Sequence, residues 1–209
     1  MSLLPPRQRR PLGRQHRRER DDARFVVATE DTFAPKQYFA AFRMPRVSIE
    51  VVETTEGQSA ASHVVTRLKA VFDEARRNNE LQENDQFWVL LDTDHWTEPN
   101  HVASFTLALK QARDAGFKVA VSNPCFELWL LLHKADALLP LAACDDVETQ
   151  LRAALGSYSK KNVPADELLK GVELAIQRAR KLDTGSNGWP QTVGTQVHLL
   201  VEALLRFSP

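Results

Sequence analysis

Gln86-Phe-Trp-Val-Leu-Leu-Asp-Thr-Asp94 reads as a buried strand that delivers two carboxylates at its carboxyl end. Successive strand side chains point to opposite faces, so Asp92 and Asp94 share a direction while Thr93 points away. Open α/β sheets collect their ligands at the carboxyl edge. Paired carboxylate oxygens at such an edge suit a hard cation, Mg²⁺ or Mn²⁺. The same residues also suit a strand-to-helix turn in which Asp serves as a cap.

Outward from this segment, apolar runs and periodicity alternate between strand and helix. Residues 24–28, 47–52, 86–91 and 117–121 read as strands, because they are short, apolar or β-branched, and bounded by breakers. Residues 36–43, 62–77, 102–115 and 126–134 read as helices. The clearest is 62–77, with Val64, Val65, Leu68, Val71, Phe72 and Ala75 on one face and Arg67, Lys69, Asp73, Glu74 and Arg76 on the other. Gly116 sits where a helix C-cap is expected. The order β-α-β-α-β-α-β-α predicts a mainly parallel sheet flanked by helices. Only helices are expected after Leu138, over about 145–155, 165–182 and 194–206. The organisation expected is an Arg-rich flexible arm over 1–22, an α/β domain over 23–140 and a helical C-terminal extension over 141–209.

The chain of 209 residues is 43% hydrophobic, enough for a real core, and its formal charge is zero but unevenly spread. Residues 1–24 hold eight arginines against three acidic residues, a net +5, which leaves −5 on the body. A basic arm on an acidic body suits contact with phosphate, or simply a soluble tail. Cys125 and Cys144, 19 positions apart, fit neither a CxxC nor a zinc spacing, and no His has the context to make Cys125 a nucleophile. With no apolar stretch of membrane-spanning length and no secretory signal, the expected setting is the cytoplasm, without membrane association.

Glu30 ends the first strand, Asp92 and Asp94 the third, and Ser122-Asn123 the fourth, with Glu127 close behind. If these strands are neighbours, the carboxylates meet in one crevice and repel one another unless a divalent cation neutralises them. Such an ion clamps a phosphodiester and lowers the pKa of an attacking water. Glu127 lies in an otherwise apolar helix, where a charge needs a partner. Asn123-Pro124 serves either substrate binding or only the strand-to-helix turn. Lys160 and Lys161 suit phosphate binding or a solvated surface pair. Trp129 and Leu130–Leu132 read as core, and His95 as an exposed loop residue beside the aspartates.

Glu30 after an apolar strand, followed by Asp-Thr-Asp after a later one, resembles the Toprim pattern of topoisomerases, primases and OLD-type nucleases. Ser122-Asn-Pro-Cys-Phe-Glu-Leu-Trp-Leu-Leu-Leu-His133 resembles the central signature of the RloB family, small Toprim-like proteins of restriction and abortive-infection loci. Tyr38-Phe39, Tyr158, Lys160, the 175–180 helix and Gly194-Thr195 leading into 197–201 continue that resemblance, from Phe25 to Leu205. It implies a Toprim-like α/β fold and a Mg²⁺-dependent nuclease of anti-phage defence acting on DNA or RNA. Glu30, Asp92 and Asp94 would be its catalytic carboxylates and, with Glu127, its metal ligands. It also implies an ATPase encoded nearby as a partner. The first motif departs from the family pattern: Asp31 replaces a Gly, and Ala34-Pro35 occupy the place of a Thr-Glu pair, which removes one expected acidic ligand.

Two other readings compete. A phosphatase would use Asp92 as nucleophile, but this class normally places Thr or Val two residues after the second Asp, where Trp96 stands. A non-catalytic module would use the fold to dock an ATPase. Deleting residues 1–22 is expected to leave the fold intact and to weaken nucleic-acid binding with a reduced salt slope, measured by fluorescence anisotropy from about 50 to 200 mM salt.

Overall fold

The computed structural model describes residues 22–31, 33–54, 60–94, 99–137, 140–183 and 188–207. The Arg-rich arm, His95 and Trp96 lie outside these residues, apart from Asp22. Four parallel strands, β1 (Ala23–Thr29), β2 (Val47–Val52), β3 (Gln86–Asp92) and β4 (Lys118–Asn123), form the sheet in the order β2-β1-β3-β4. The expected alternation holds: α1 (Phe33–Ala40), α2 (Ala61–Arg77), α3 (Pro99–Asp114) and α4 (Glu127–Leu132) follow the four strands in turn. The chain continues through α5 (Cys144–Leu155), α6 (Ala165–Leu168), a 3-10 turn at Leu169–Gly171, and α7 (Val172–Leu182). It ends on α8 (Val197–Leu205).

The side-chain period of two divides the core into two layers. Phe25, Val27, Trp88, Leu90 and Ala120 face α1, α4 and the C-terminal helices. Val26, Ala28, Phe87, Val89, Leu91 and Val121 face α2 and α3. Both faces of the strands are therefore covered, which is why β1 and β3 read as continuous apolar runs. Trp129 and Leu130–Leu132 are buried in the first layer, as their sequence suggests. Gly116 takes φ +82° and ends α3, where Phe117 N–H returns to Ala112 O at 3.0 Å.

One expectation is corrected. Residues 194–195 are not the start of a helix but a short strand, β5 (Gly194–Thr195), antiparallel to β4 at the sheet edge. Ser122 and Thr195 share a hydroxyl hydrogen bond of 2.8 Å, and the backbone of Gln196 donates to Val121 O at 2.9 Å. Helical periodicity cannot report two residues of β-pairing, because a strand this short has no pattern of its own. The C-terminal segment thus completes the sheet, and one buried cluster runs from Ala23 to Leu204.

Within this layer Tyr38 and His133 form a sealed polar pair. The imidazole donates from Nδ1 to Trp129 O (2.8 Å), so Nε2 accepts from the Tyr38 hydroxyl (3.0 Å). Burial holds the His133 pKa down at about 4, against an ordinary 6.5. Below pH 6.5 the unfolded chain takes up a proton that folded His133 refuses, so stability falls as pH drops through this window. The loss levels off near pH 4 at about 3 kcal/mol. Urea unfolding of the native protein and of His133→Gln at pH 7 and pH 4.5 should show the native protein losing more stability than the variant. Equal losses would mean that the folded imidazole accepts the proton.

Candidate metal centre

β1, β3 and β4 are adjacent and parallel, so their carboxyl ends lie at one edge. Glu30, the first residue after β1, reaches across to β3: the Asp92 backbone N–H donates to Glu30 Oε1 at 3.3 Å. Asp92 pairs in register with Ser122 of β4. The backbone beyond it is then gripped by the turn after β4. Thr93 N–H is shared between Ser122 O (3.0 Å) and Pro124 O (2.9 Å), and Asp94 N–H donates to Pro124 O (3.1 Å). Asp-Thr-Asp is therefore held against the segment that leads to Glu127.

The electrostatic result is crowding. Burial pushes the Asp92 carboxyl well above its usual range, and the charges of Glu30, Glu127 and Asp94 push it further the same way. Glu30, Asp92 and Asp94 offer only oxygen donors, which fits a hard divalent cation. They are the residues that would hold it, and their ligand atoms would have to draw closer to do so, since they do not all lie within 4.8 Å of one another here.

Glu127 has a different environment. It is 1% exposed at the first turn of α4. Its Oε1 accepts from Tyr158 Oη at 3.1 Å and lies 3.1 Å from Lys160 Nζ. Lys160 also reaches Glu148 of α5 at 3.4 Å. Burial raises the Glu127 pKa, while Lys160, the Glu127 backbone N–H and Tyr158 pull it back. For Lys160, burial acts against the charge, but Glu127, Asp31 and Glu148 outweigh it and the ammonium is favoured. Burial and Glu127 keep the Tyr158 phenol protonated. The partner that a buried Glu127 requires is thus supplied by Lys160 and Tyr158.

The other candidates separate. Asn123 donates from Nδ2 to Pro190 O at 3.2 Å, which ties β4 to the segment before β5. Lys161 lies over the Phe33 ring, 5.6 Å from its centroid. Lys161, Phe33 and Glu30 line a cavity of about 680 Å³. Asp31 caps α1, its Oδ1 accepting from Phe33 N–H at 2.8 Å. Ala34 and Pro35, at the place of the expected Thr-Glu pair, are buried in α1.

Two features escaped the sequence reading. Arg67, on the face of α2 that reads as solvated, bends inward, and its guanidinium donates to Thr29 O (3.1 Å) and Thr54 Oγ1 (3.3 Å). Partial burial works against its charge, and the Glu30 carboxylate works in favour of it. Helical spacing alone carries no signal for this. Cys125 and Cys144 form a disulfide, Cα–Cα 5.6 Å, joining the site segment to α5. Cys144 Sγ lies 3.4 Å from Glu127 Oε2. A separation of 19 residues with no motif did not mark the pairing.

The RloB-like protein family model matches residues 25–204, most of the chain. The chain belongs to the RloB-like family. No curated protein and no solved structure matches it.

Crowded carboxylates repel when no cation is bound, so Asp92→Asn should raise the melting temperature in EDTA, by about 2–4 °C for each kcal/mol relieved. Mg²⁺ should raise the melting temperature of the native protein and leave that of the variant nearly unchanged. Identical Mg²⁺ responses would remove Asp92 from the ligand set.

Proposed function

We propose that this RloB-like protein is a Toprim-like, divalent-metal-dependent nuclease of prokaryotic defence, acting in the cytoplasm on DNA or RNA. The observation that carries this reading is Asp92 at the end of β3, with Glu30, next after the adjacent parallel β1, held against its backbone and its carboxyl driven toward protonation by burial and by the charges of Glu30, Glu127 and Asp94. Glu30, Asp92 and Asp94 would hold Mg²⁺ or Mn²⁺, which would supply polarisation of the phosphoryl oxygen and a lowered pKa for a bound water. Glu30, whose Oε1 accepts from the Asp92 backbone N–H, would bind that ion or act as the general acid/base toward the attacking water. Arg67, whose charge acts on Glu30, and Lys160, paired with Glu127, would supply positive charge to a bound phosphodiester. Glu127 acts through Lys160, holding the ammonium in place, and joins the ligand set only if that ion pair opens.

A second reading has an observation of its own. Asp31 is used as a helix cap, and the place of the expected Thr-Glu pair is buried core. One acidic ligand is therefore missing and, among the described residues, no second cation has an evident seat, which favours a non-catalytic module docked on an ATPase. Purified protein, with and without the ATPase encoded beside it, separates the readings when incubated with plasmid DNA, single-stranded DNA and tRNA in Mg²⁺ or Mn²⁺. The nuclease reading expects cleavage that Asp92→Asn and Glu30→Gln both abolish while the fold persists. Cleavage surviving both substitutions overturns the site. No cleavage under any of these conditions leaves the docking module. Asp92-dependent release of phosphate from small esters, indifferent to Glu30, would instead support a phosphatase.

A further inference from the structure

Phe33 stands 56% exposed at the start of α1, although the rest of that helix buries Ala34, Pro35, Tyr38 and Phe39. A helix with a well-filled apolar face has no packing need for an aromatic ring in water. The ring lies on the wall of the cavity of about 680 Å³ that opens beside Glu30, only three residues away along the chain. Its backbone is fixed by the Asp31 cap, so the ring is presented from a rigid base. Lys161 lies over it at 5.6 Å, a cation–π contact that holds the ring and the ammonium together. Neighbouring polar groups of this wall are occupied. Lys36 is paired with Glu53, and the Gln37 amide bonds Lys160 O and Val163 N–H.

An exposed aromatic face beside a cation is the combination that binds single-stranded nucleic acid, since bases stack on the ring and the phosphate meets the charge. We infer that Phe33 and Lys161 form a subsite for an unpaired nucleobase and its phosphate, next to the carboxylates. The inference rests on the nucleic-acid substrate proposed above and names its class: a single strand, or a strand with a base out of its helix. A base inside a duplex is stacked on both faces and cannot reach the ring. Stacking reads the π-face common to all bases, so the subsite is tolerant of sequence.

The test uses full-length protein carrying Asp92→Asn, so that strands stay intact. Anisotropy is measured with a fluorescein-labelled single strand, the same strand with abasic residues, and its duplex, each as deoxy- and ribonucleotide. Phe33→Ala should weaken binding of the intact single strand about 10-fold, on the scale of one lost base stack. Phe33→Trp should preserve it and Phe33→Leu should not. The abasic strand and the duplex should be indifferent to all three. Lys161→Ala should lower affinity for intact and abasic strands alike and reduce the salt slope by about one. The fluorescence of a 2-aminopurine strand should be quenched when it binds protein that retains Phe33, and not when it binds the Phe33→Leu variant. Equal losses on intact and abasic strands, or no loss on either, overturn the stacking subsite. Whichever of the deoxy and ribo strands shows the Phe33 dependence identifies the substrate chemistry. Phe33-dependent binding without cleavage by the native protein would sink the nuclease and keep the subsite. Cleavage by a protein whose binding ignores Phe33 would do the reverse, and no binding to any strand would sink both.

Discussion

A carboxylate sealed from water must be given positive charge and hydrogen bonds, and Glu127 imposes that requirement on the chain that follows it. Lys160 and Tyr158 supply them from a segment more than thirty residues away, and Glu148 of α5 shares the same ammonium. The disulfide fastens α5 to the residues just before Glu127. Arg178 of α7 donates to Leu132 O at 2.8 Å where α4 ends. Helices that are distant in sequence are thereby drawn onto a six-residue helix behind the site. The buried charge gains specificity from this arrangement more than stability, because removing a carboxylate from water costs about what its partners return.

The edge of the sheet has the opposite character. Glu30 and Asp92 come to one edge because β1 and β3 are parallel neighbours in fixed register, and the charges of Glu30, Glu127 and Asp94 all act on Asp92. Nothing in hydrophobic burial favours that crowding; Arg67 of α2 sets positive charge toward Glu30, while Lys160 is paired with Glu127 and Glu148. Arg67 comes from a helix and Lys160 from the loop after Gly156, so positive charge reaches this end of the sheet from elements distant in sequence.

The fold was legible where patterns were long. Residues 86–94 announce a buried strand and its two aspartates, and the 3.6-residue period of α2 gives its apolar face outright. The two-residue β5 gives no such signal, since two residues carry no period. Candidate residues at strand ends were locatable in the fold for the same reason that the strands were. Arg67 was not, because a cation at a polar helical position looks the same whether it reaches water or the end of β1. Nor was the tie between Glu127 and Lys160, which depends on how a loop after Gly156 folds back over α4. Long-range polar contacts leave no local imprint; only a charge in an apolar helix hinted that one was needed.

The cysteine bridge gives the protein two chemical forms. In the bridged form the two sulfur atoms and a carboxylate oxygen of Glu127 lie within 4.8 Å of one another, so cleavage by a dithiol would release two thiols beside that carboxylate. Preparations handled with and without reductant are then different reagents at the very residue behind the carboxylates. The redox history of a sample is therefore to be fixed before any property of Glu127 is compared between preparations.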